Sequence, residues 1–304
     1  MAVPRLRSFR TALRAAPLML RGLRASHYAA GRGGPGLEFA RFGRRAGLSM
    51  LAMDRAAALE LLLAPVSIVR YWEFPFVLTN LPDPPGPCLD VASPRLFSCY
   101  VASHHRPESI RILNPDRSDA EATARIAGRL GLDRISVDAV PVEAISGSSA
   151  TYRSIWSISV LEHIAGVGDV GAMRLLWNAL LPGGRLLVTV PVDRRSWDEY
   201  RAHDVYDLGV PRDERGFFFQ RWYDEQSLRS RLLDGLSGAI VNVSWFGERT
   251  AGRFAAYERD WIERGYARTV DDPREIVDHY AEFPSWASMP GQGVAGLMIE
   301  KPTL

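Results

Sequence analysis

Residues 154–191 read SIWSISVLEHIAGVGDVGAMRLLWNALLPGGRLLVTVP and decide the fold. The run Ile155–Val160 is apolar and rich in β-branched and aromatic residues, as a buried parallel strand requires. Apolar residues then recur at helical spacing between Asp169, a candidate N-cap, and the Pro182–Gly184 stop. Leu186–Val190 is a second apolar run. The stretch therefore predicts strand, helix and strand, the unit from which parallel sheets are built.

The same alternation continues on both sides of this unit. Candidate strands are 88–92, 110–114, 135–138, 155–160, 185–190, 239–245 and 294–300. Candidate helices are 94–104, 119–130, 169–180 and 224–235, the second of them starting at a capping box formed by Ser118 and Glu121. Alternation of this kind predicts an α/β fold with a doubly wound, mostly parallel sheet and helices on both faces.

Charge is distributed unevenly along the 304 residues. Residues 1–45 contain ten arginines and one acid, Glu38, so they carry about +9 of a chain whose net charge is +2. No aromatic interleaving or nucleic-acid motif accompanies these arginines, and we therefore expect no nucleic-acid partner. A basic helix in this region is compatible with peripheral contact with an anionic membrane.

Several other classes of protein are disfavoured. The two cysteines, Cys88 and Cys99, lack metal-ligand spacing and favour a reducing, cytoplasmic compartment. The six histidines form no spaced ligand set, so no metal is expected. No apolar run approaches the roughly 18 residues of a membrane-spanning helix. A P-loop, a G-x-G-x-x-G turn and a nucleophile elbow are all absent, which argues against an NTPase, an NAD dehydrogenase and a hydrolase.

Two phrases in the central stretch carry a family resemblance. S-V-L-E-H-I at Ser159–Ile164 and L-L-P-G-G-R-L-L-V-T-V-P at Leu180–Pro191 resemble the ends of the fourth and fifth strands of class I S-adenosylmethionine-dependent methyltransferases, in the type 11-like form. The segment Arg221–Leu228 is similar to the family's entry into the sixth strand. The resemblance covers about residues 88–300. It implies a Rossmann-like, seven-stranded sheet with an antiparallel last strand, S-adenosylmethionine as cofactor, and methyl transfer to a small-molecule or glycan-type acceptor, at oxygen.

The resemblance also divides the chain. We expect a basic, partly flexible N-terminal arm at 1–50, a helical and aromatic cap with a linker at 51–87, and a methyltransferase-like domain at 88–304 with insertions at 192–223 and 247–292. Loops of that length inside a compact domain are usually functional or disordered. Either insertion is therefore a candidate cover for a substrate.

The end of the first strand is the first candidate site. In open α/β sheets, ligands bind beyond the carboxyl ends of the strands. Family members have an acid and a glycine-rich turn here, whereas this chain has Asp90 followed by Ala92 and Ser93. Ser93 as N-cap and Pro94 in the first turn predict a helix terminus suited to a cofactor carboxylate. The alternative is a buried strand end at which Asp90 bonds only local backbone.

The next two strand ends complete the predicted cofactor site. The resemblance assigns the ribose hydroxyls to Asn114, with Asp116 as a substitute, and the adenine to Asp138 and Ala139. An amide oxygen accepts hydrogen bonds from a diol less strongly than a carboxylate does. An Asx turn at Asn114 and a solvated carboxylate at Asp138 are the structural alternatives.

Candidate bases follow the fourth and fifth strands. His163 has an ordinary pKa near neutrality, which suits proton transfer from a hydroxyl acceptor. Glu199, His203 and Asp204 lie in the first insertion, among aromatic residues that suit a sugar or a packed lid. A histidine bonded to backbone is the structural alternative at position 163.

Three hypotheses remain open on the sequence alone: an active methyltransferase, a catalytically inactive methyltransferase-like interaction protein, and a Rossmann-type enzyme for another nucleotide. Ala92, Ser93 and Asn114, where the family has glycines and an acid, motivate the second.

Overall fold

A computed structural model of the chain describes residues 9–147, 150–264 and 272–303. Its helices are α1 (Phe9–Ala30), α2 (Leu37–Met50), α3 (Arg55–Leu63), α4 (Arg70–Asn80), α5 (Leu96–His104), α6 (Arg117–Arg129), α7 (Gly168–Ala179), α8 (Glu225–Leu228), α9 (Arg253–Arg264) and α10 (Arg274–His279). Its strands are β1 (Pro87–Val91), β2 (Ser109–Leu113), β3 (Ile135–Asp138), β4 (Tyr152–Ile158), β5 (Leu180–Val192), β6 (Trp197–Arg201), β7 (Arg212–Asp213), β8 (Gly216–Trp222), β9 (Ile240–Glu248), β10 (Tyr280–Phe283) and β11 (Gly293–Glu300). Residues 1–8 of the expected N-terminal arm lie outside the described residues.

The described residues form a main sheet with the strand order β10-β9-β11-β5-β4-β1-β2-β3. The strands from β3 to β5 are parallel neighbours, and β11 lies antiparallel between β5 and β9. The predicted Rossmann-like, doubly wound α/β sheet with an antiparallel last strand is therefore confirmed. Strand β10 adds an eighth member, within the insertion predicted at 247–292. Tyr280 ends α10 in extended conformation (φ −124°, ψ 158°) and pairs with Glu248.

Alternate residues of the sheet pack against its two faces, as the two-residue repeat of a strand requires. Cys88 lies in the cluster with Phe97 of α5, whereas Leu89 lies in the opposite cluster with Leu176 of α7. Both faces of β1 are therefore buried, and Asp90, next to the last residue of this strand, has no exposed surface.

The aromatic segment at 71–76 belongs to α4 and covers the antiparallel side of the sheet. Trp72 stacks between Phe76 and Phe246, with ring centroids 5.1 and 5.2 Å apart. Gly296 of β11 permits this approach, because a Cβ there would lie 2.7 Å from the Phe76 ring. The helix is thereby held across the sheet, with its first turn near the carboxyl ends of the central strands.

The insertion at 192–223 forms a separate antiparallel sheet, ordered β6-β8-β7 within the described residues. Trp197 stacks on Trp222 at a centroid distance of 5.7 Å. Arg201 donates a hydrogen bond to Glu258 of α9, 2.6 Å away, and so links the two insertions. In the second insertion, residues 265–271 lie outside the described part of the chain.

The helix predicted at 224–235 is shorter in the structure, and its second half is π-helical rather than α-helical. Asp224 accepts a hydrogen bond from the Ser227 backbone and caps α8, which continues as a single π-turn at 229–233.

In the part of the chain that the structure describes, no helix is both long enough and apolar enough to cross a membrane.

Candidate functional site

A cavity of about 460 Å³ lies at the carboxyl ends of β1, β2 and β4. Its volume is within the range of roughly 300–1,000 Å³ that is usual for small-ligand sites. Strand order reverses between β1 and β4, and this switch point is where open α/β sheets bind ligands. Helices α3 and α4 and the loop between them form its outer wall, and Tyr206 and Leu208 of the first insertion reach its edge.

The turn after β1 lies against the cavity through Ala92 and Ser93. Ala92 has φ +49°, a left-handed conformation that costs an alanine about 1–2 kcal/mol. The backbone thus adopts at Ala92 the conformation that glycine adopts without strain. Strain of this kind concentrates at functional sites.

Asp90 lies beneath this turn, outside the cavity lining. Its Oδ1 accepts a hydrogen bond from the Ser93 backbone nitrogen at 2.9 Å, and its Oδ2 accepts one from the Ser98 hydroxyl. Burial raises the pKa of Asp90. In the structure, the carboxyl group therefore holds the turn in shape from below, which is the local-backbone alternative.

Ser93 differs from its predicted role as a helix cap. Its hydroxyl accepts a hydrogen bond from the Ile158 backbone nitrogen at 3.0 Å, and α5 begins later, at Leu96. The residue that precedes the helix, Arg95, makes no side-chain capping bond. The prediction of an N-cap at Ser93 is therefore wrong, because the hydroxyl accepts a hydrogen bond from the end of β4 instead.

At the end of β2, Asn114 and Asp116 line the cavity but are engaged in local bonds. Asn114 Oδ1 accepts from the Asp116 backbone at 3.0 Å, which is the Asx turn considered as an alternative. Asn114 Nδ2 donates to Asp119 at 2.8 Å. Asp116 Oδ1 accepts from the Asp119 backbone and caps α6, so the predicted capping box at Ser118 is wrong.

Arg95 crosses this end of the cavity. Its guanidinium donates to Asp119, and one of its nitrogens lies 3.7 Å from Glu60 of α3. All three side chains line the cavity, and none was singled out from the sequence. The ion pairs join the β1 turn, the β2 end and the N-terminal helices into one wall.

The predicted adenine contacts lie outside the cavity lining. Asp138 accepts a hydrogen bond from Arg111 Nε at 2.7 Å, and Ala139 is exposed. Asp138 ends β3, the edge strand one position beyond β2, and Ala139 follows it. They therefore flank the cavity at its far end without joining it.

The opposite end of the cavity contains a buried polar network that sequence reasoning missed. Arg70 of α4 donates through Nη1 to Glu73 and to the Ser159 hydroxyl, the latter at 2.6 Å. Glu73 has no exposed surface and also accepts from Ser159 and Thr189 at 2.6 and 2.7 Å. The R-x-x-E spacing was the available signal, because it places both side chains on one helix face.

His163 lines the cavity after β4. Its Nδ1 lies 2.7 Å from the Phe219 carbonyl oxygen, which can only accept, so Nδ1 carries the proton and Nε2 is an acceptor. The Tyr206 hydroxyl lies 3.3 Å from that Nε2. Burial lowers the pKa of His163 to about 4, so the ring is neutral at neutral pH.

Glu162 lies next to His163 and is almost completely buried. Its Oε1 lies 3.9 Å from His163 Nε2, and its Oε2 has no hydrogen-bond partner among the described residues. Burial raises the pKa of Glu162 to about 8. At neutral pH the carboxyl group is mostly protonated and adds no negative charge to the cavity.

The three candidate bases in the first insertion do not line the cavity. Glu199 accepts hydrogen bonds from Gln220 and Trp222 within the small sheet. Asp204 accepts from the backbone of Gly209 and Val210 and shapes its own loop. His203 is exposed. The structure thus brings Ala92, Ser93, Asn114, Asp116 and His163 to one cavity and leaves the other predicted site residues outside its lining.

Comparison with solved structures finds the same architecture in several proteins. The MccD protein is 11% identical, with a TM-score of 0.50, and the match covers 76% of this chain and 96% of that one. Coclaurine N-methyltransferase bound to N-methylheliamine and SAH is 13% identical, with coverages of 71% and 65% and a TM-score of 0.46. Phosphoethanolamine N-methyltransferase 2 of Haemonchus contortus is 15% identical, with coverages of 71% and 49% and a TM-score of 0.44. No protein-family model matches this sequence, and no curated protein matches it.

Several of the structural neighbours are named as methyltransferases. At these identities the likeness shows the fold. The chain has a Rossmann-like α/β fold, with a cavity at the switch point of its sheet.

Proposed function

We propose that this protein transfers a methyl group from S-adenosylmethionine to a small-molecule or glycan-type acceptor, at oxygen. The observation that carries the proposal is the cavity at the carboxyl ends of β1, β2 and β4. It combines the ligand-binding position of the fold with a neutral histidine that can accept a proton.

The described residues fit such a cofactor. The left-handed turn at Ala92 presents backbone towards the cavity without a glycine, and Ser93, Asn114 and Asp116 line the same wall. These four residues would hold the cofactor, while assignment of the adenine to Asp138 and Ala139 stays a prediction. Asp90 supports the turn from below. When bound, S-adenosylmethionine supplies an electrophilic sulfonium methyl group.

His163 is the proposed base. Its Nδ1–H is held by the Phe219 carbonyl, and its Nε2 lone pair, 3.3 Å from the Tyr206 hydroxyl, accepts a hydroxyl proton when the methyl acceptor replaces that contact. Its lowered pKa keeps it unprotonated at neutral pH but makes it a weak base. Its main contribution is then to orient the hydroxyl oxygen, and positioning of this kind is a large part of catalysis of a displacement. Glu199, His203 and Asp204 remain predicted alternatives that would require movement of the insertion.

The proposed reaction site is bordered by Tyr206, Leu208 and the wall formed by α3 and α4. Tyr206 is 37% exposed and Leu208 is 44% exposed, so the insertion lies at the cavity edge rather than filling it. Access for an acceptor is therefore on this side. Closure of this side around the acceptor excludes water from the displacement.

A second candidate function is a methyltransferase-like interaction protein without catalysis. The observation that favours it is the engagement of Asn114, Asp116 and Asp119 with one another and with Arg95. A ribose would have to exchange some of these bonds. This candidate predicts a folded protein with no affinity for adenosyl ligands.

Calorimetric titration separates the two candidates. Wild-type protein is titrated with S-adenosylmethionine, S-adenosylhomocysteine and NADH. We expect binding of both adenosyl ligands and not of NADH, with weaker binding in Asn114→Ala and unchanged binding in the control Asn178→Ala, which is exposed on α7. A folded wild type that binds neither adenosyl ligand contradicts the proposal. Methyl transfer from labelled cofactor to panels of sugars, phenols and hydroxy acids then identifies the acceptor.

The compartment and surface contacts belong to the same proposal. Cys88 and Cys99 are buried and unpaired, and burial raises both thiol pKa values to about 12, which suits a reducing cytoplasm. Peripheral contact of the basic N-terminal arm with an anionic membrane stays a prediction. The exposed positions Arg21, Leu23 and Arg24 on α1 support it.

A further inference from the structure

Arg70 presents unused hydrogen-bond donors to one end of the cavity. Among the described residues, Glu73 and Ser159 engage Nη1 alone. Nε and Nη2 carry three N–H groups with no hydrogen-bond partner among the described residues, and Arg70 lines the cavity. The Nε–Nη2 edge of a guanidinium matches the two oxygens of a carboxylate.

The network beneath Arg70 fixes this side chain in place. Glu73 lies one helical turn away and is fully buried. It is also held by the hydroxyls of Ser159 and Thr189, so three donors share its negative charge. Arg70 is therefore oriented before any ligand arrives, which reduces the entropy lost on binding.

Charges are segregated within the cavity. The acidic lining residues Glu60, Asp116 and Asp119 lie at the α3 and β2 end, where Arg95 pairs with two of them. Near Arg70 the titratable neighbours are Glu73, which is paired with it, and His163 and Glu162, which are both mostly uncharged at neutral pH. The Nε and Nη2 donors of Arg70 therefore favour an anion at this end, whereas the carboxylates oppose one at the other end.

We infer that Arg70 binds a carboxylate of the methyl acceptor and selects acidic acceptors; this inference rests on the proposed function. The acceptor is favoured over the cofactor because the Arg70 end is lined by Ser159, His163 and Tyr206, on the β4 side. The residues predicted to hold the ribose lie on the β2 side. The same end contains the proposed base, so an acidic acceptor would be held beside His163.

Benzoate and its uncharged analogue benzamide test this inference in protein saturated with S-adenosylhomocysteine. We expect calorimetry to give benzoate an affinity about tenfold or more above that of benzamide, as charge-assisted hydrogen bonds predict. The main variant is the double substitution Arg70→Gln with Glu73→Gln, which leaves no unpaired buried charge. It should bind benzoate no better than benzamide and keep its affinity for S-adenosylhomocysteine.

Two further variants keep the experiment decisive. Arg70→Lys keeps the charge that Glu73 requires but removes the planar fork, and it should weaken benzoate binding while the protein remains folded. Arg229→Gln, an exposed arginine in the π-turn, is the matched control and should leave benzoate binding unchanged. Equal affinity of the wild type for benzoate and benzamide would overturn the inference.

Methylthioadenosine, which lacks the amino-acid part of the cofactor, separates the two carboxylate sources. If the double variant loses affinity for S-adenosylhomocysteine but not for methylthioadenosine, Arg70 holds the cofactor and the inference is wrong. If wild type fails to bind S-adenosylhomocysteine at all, the proposed function is wrong. Benzoate titration of the ligand-free protein then still tests the Arg70 site by itself.

Discussion

The hydroxyl oxygen of Ser93 lies 3.0 Å from the backbone nitrogen of Ile158 and accepts its hydrogen bond. Ser93 follows β1, and Ile158 ends β4, so this bond joins the two strands between which the sheet changes direction. Both residues are buried. The bond therefore connects β1 and β4 at the floor of the cavity.

Replacement of Ser93 by alanine should destabilise the protein by about 1–3 kcal/mol, because the buried N–H of Ile158 loses its partner. Urea unfolding followed by circular dichroism measures the change. Ser103→Ala, at an exposed position in α5, is the matched control and should be nearly neutral. Equal stability of Ser93→Ala and the wild type would show that water or backbone movement replaces the lost acceptor.

Replacement of Ala92 by glycine should raise the free energy of unfolding, by at most about 1 kcal/mol. The substitution relieves the strain of φ +49°, while the added freedom of the unfolded chain offsets part of this gain. Ala124→Gly, at an exposed position inside α6, should instead cost roughly 0.5–1 kcal/mol. Urea unfolding measures both changes in the free energy of unfolding. Opposite signs for the two variants support the left-handed conformation at Ala92, and a loss of stability in both variants would contradict it.

The sequence predicted the central strands because burial on both faces leaves a continuous apolar run. The predicted bounds for β1 and β2 fall one residue from those observed, and those for β3 coincide. Strand β10 was missed because its four residues carry no such run. Tyr280 and its neighbours become a strand only because the edge of β9 is available for pairing.

The site was harder to predict because its polar groups form hydrogen bonds with residues that are far away in the sequence. Glu73 and Thr189 are 116 residues apart, and only the docking of α4 on the sheet joins them. The role of Ser93 likewise depends on Ile158, 65 residues away. His163 could be found, since a histidine directly after a strand lies at the ligand edge of a parallel sheet. Its proton position required the Phe219 carbonyl from the insertion.

Asp169 should be among the most costly positions to neutralise. Its fully buried carboxylate accepts hydrogen bonds from Arg221, Tyr223 and Arg231, which join α7 to the end of the first insertion. Asp169→Asn should cost roughly 3–5 kcal/mol, because it removes the buried counter-charge shared by Arg221, which is buried, and Arg231, which is partly buried. Asp198→Asn, which removes a half-exposed partner of Arg221, should cost much less by urea unfolding. Similar costs for both would contradict the central role of Asp169.

His163 should make the protein less stable in mild acid. Burial depresses its pKa to about 4 in the folded state, below the ordinary value of 6.5. The unfolded chain therefore binds more protons, and the contribution of His163, present above pH 6.5, is lost as pH falls towards 4. His163→Gln should flatten this part of the stability profile, whereas the exposed His203→Gln should not. Parallel profiles for wild type and His163→Gln between pH 6.5 and 4 would contradict the assignment.

Glu162 should make the protein less stable as the pH rises from mild acid to mild alkali. Burial raises its pKa to about 8 from an ordinary value of 4.5, so the folded state binds more protons between these limits. Its contribution to stability is fully present below pH 4.5 and is lost as pH rises through 8. Glu162→Gln cannot ionise, so its stability relative to wild type should increase from about pH 5 to about pH 8 in urea unfolding and level off above that. The exposed Glu214→Gln should show no such trend. A constant difference between Glu162→Gln and wild type would mean that the carboxyl group is already ionised in the folded protein. In that case a negative charge would stand beside His163, and an acidic acceptor would be repelled from the Arg70 end of the cavity.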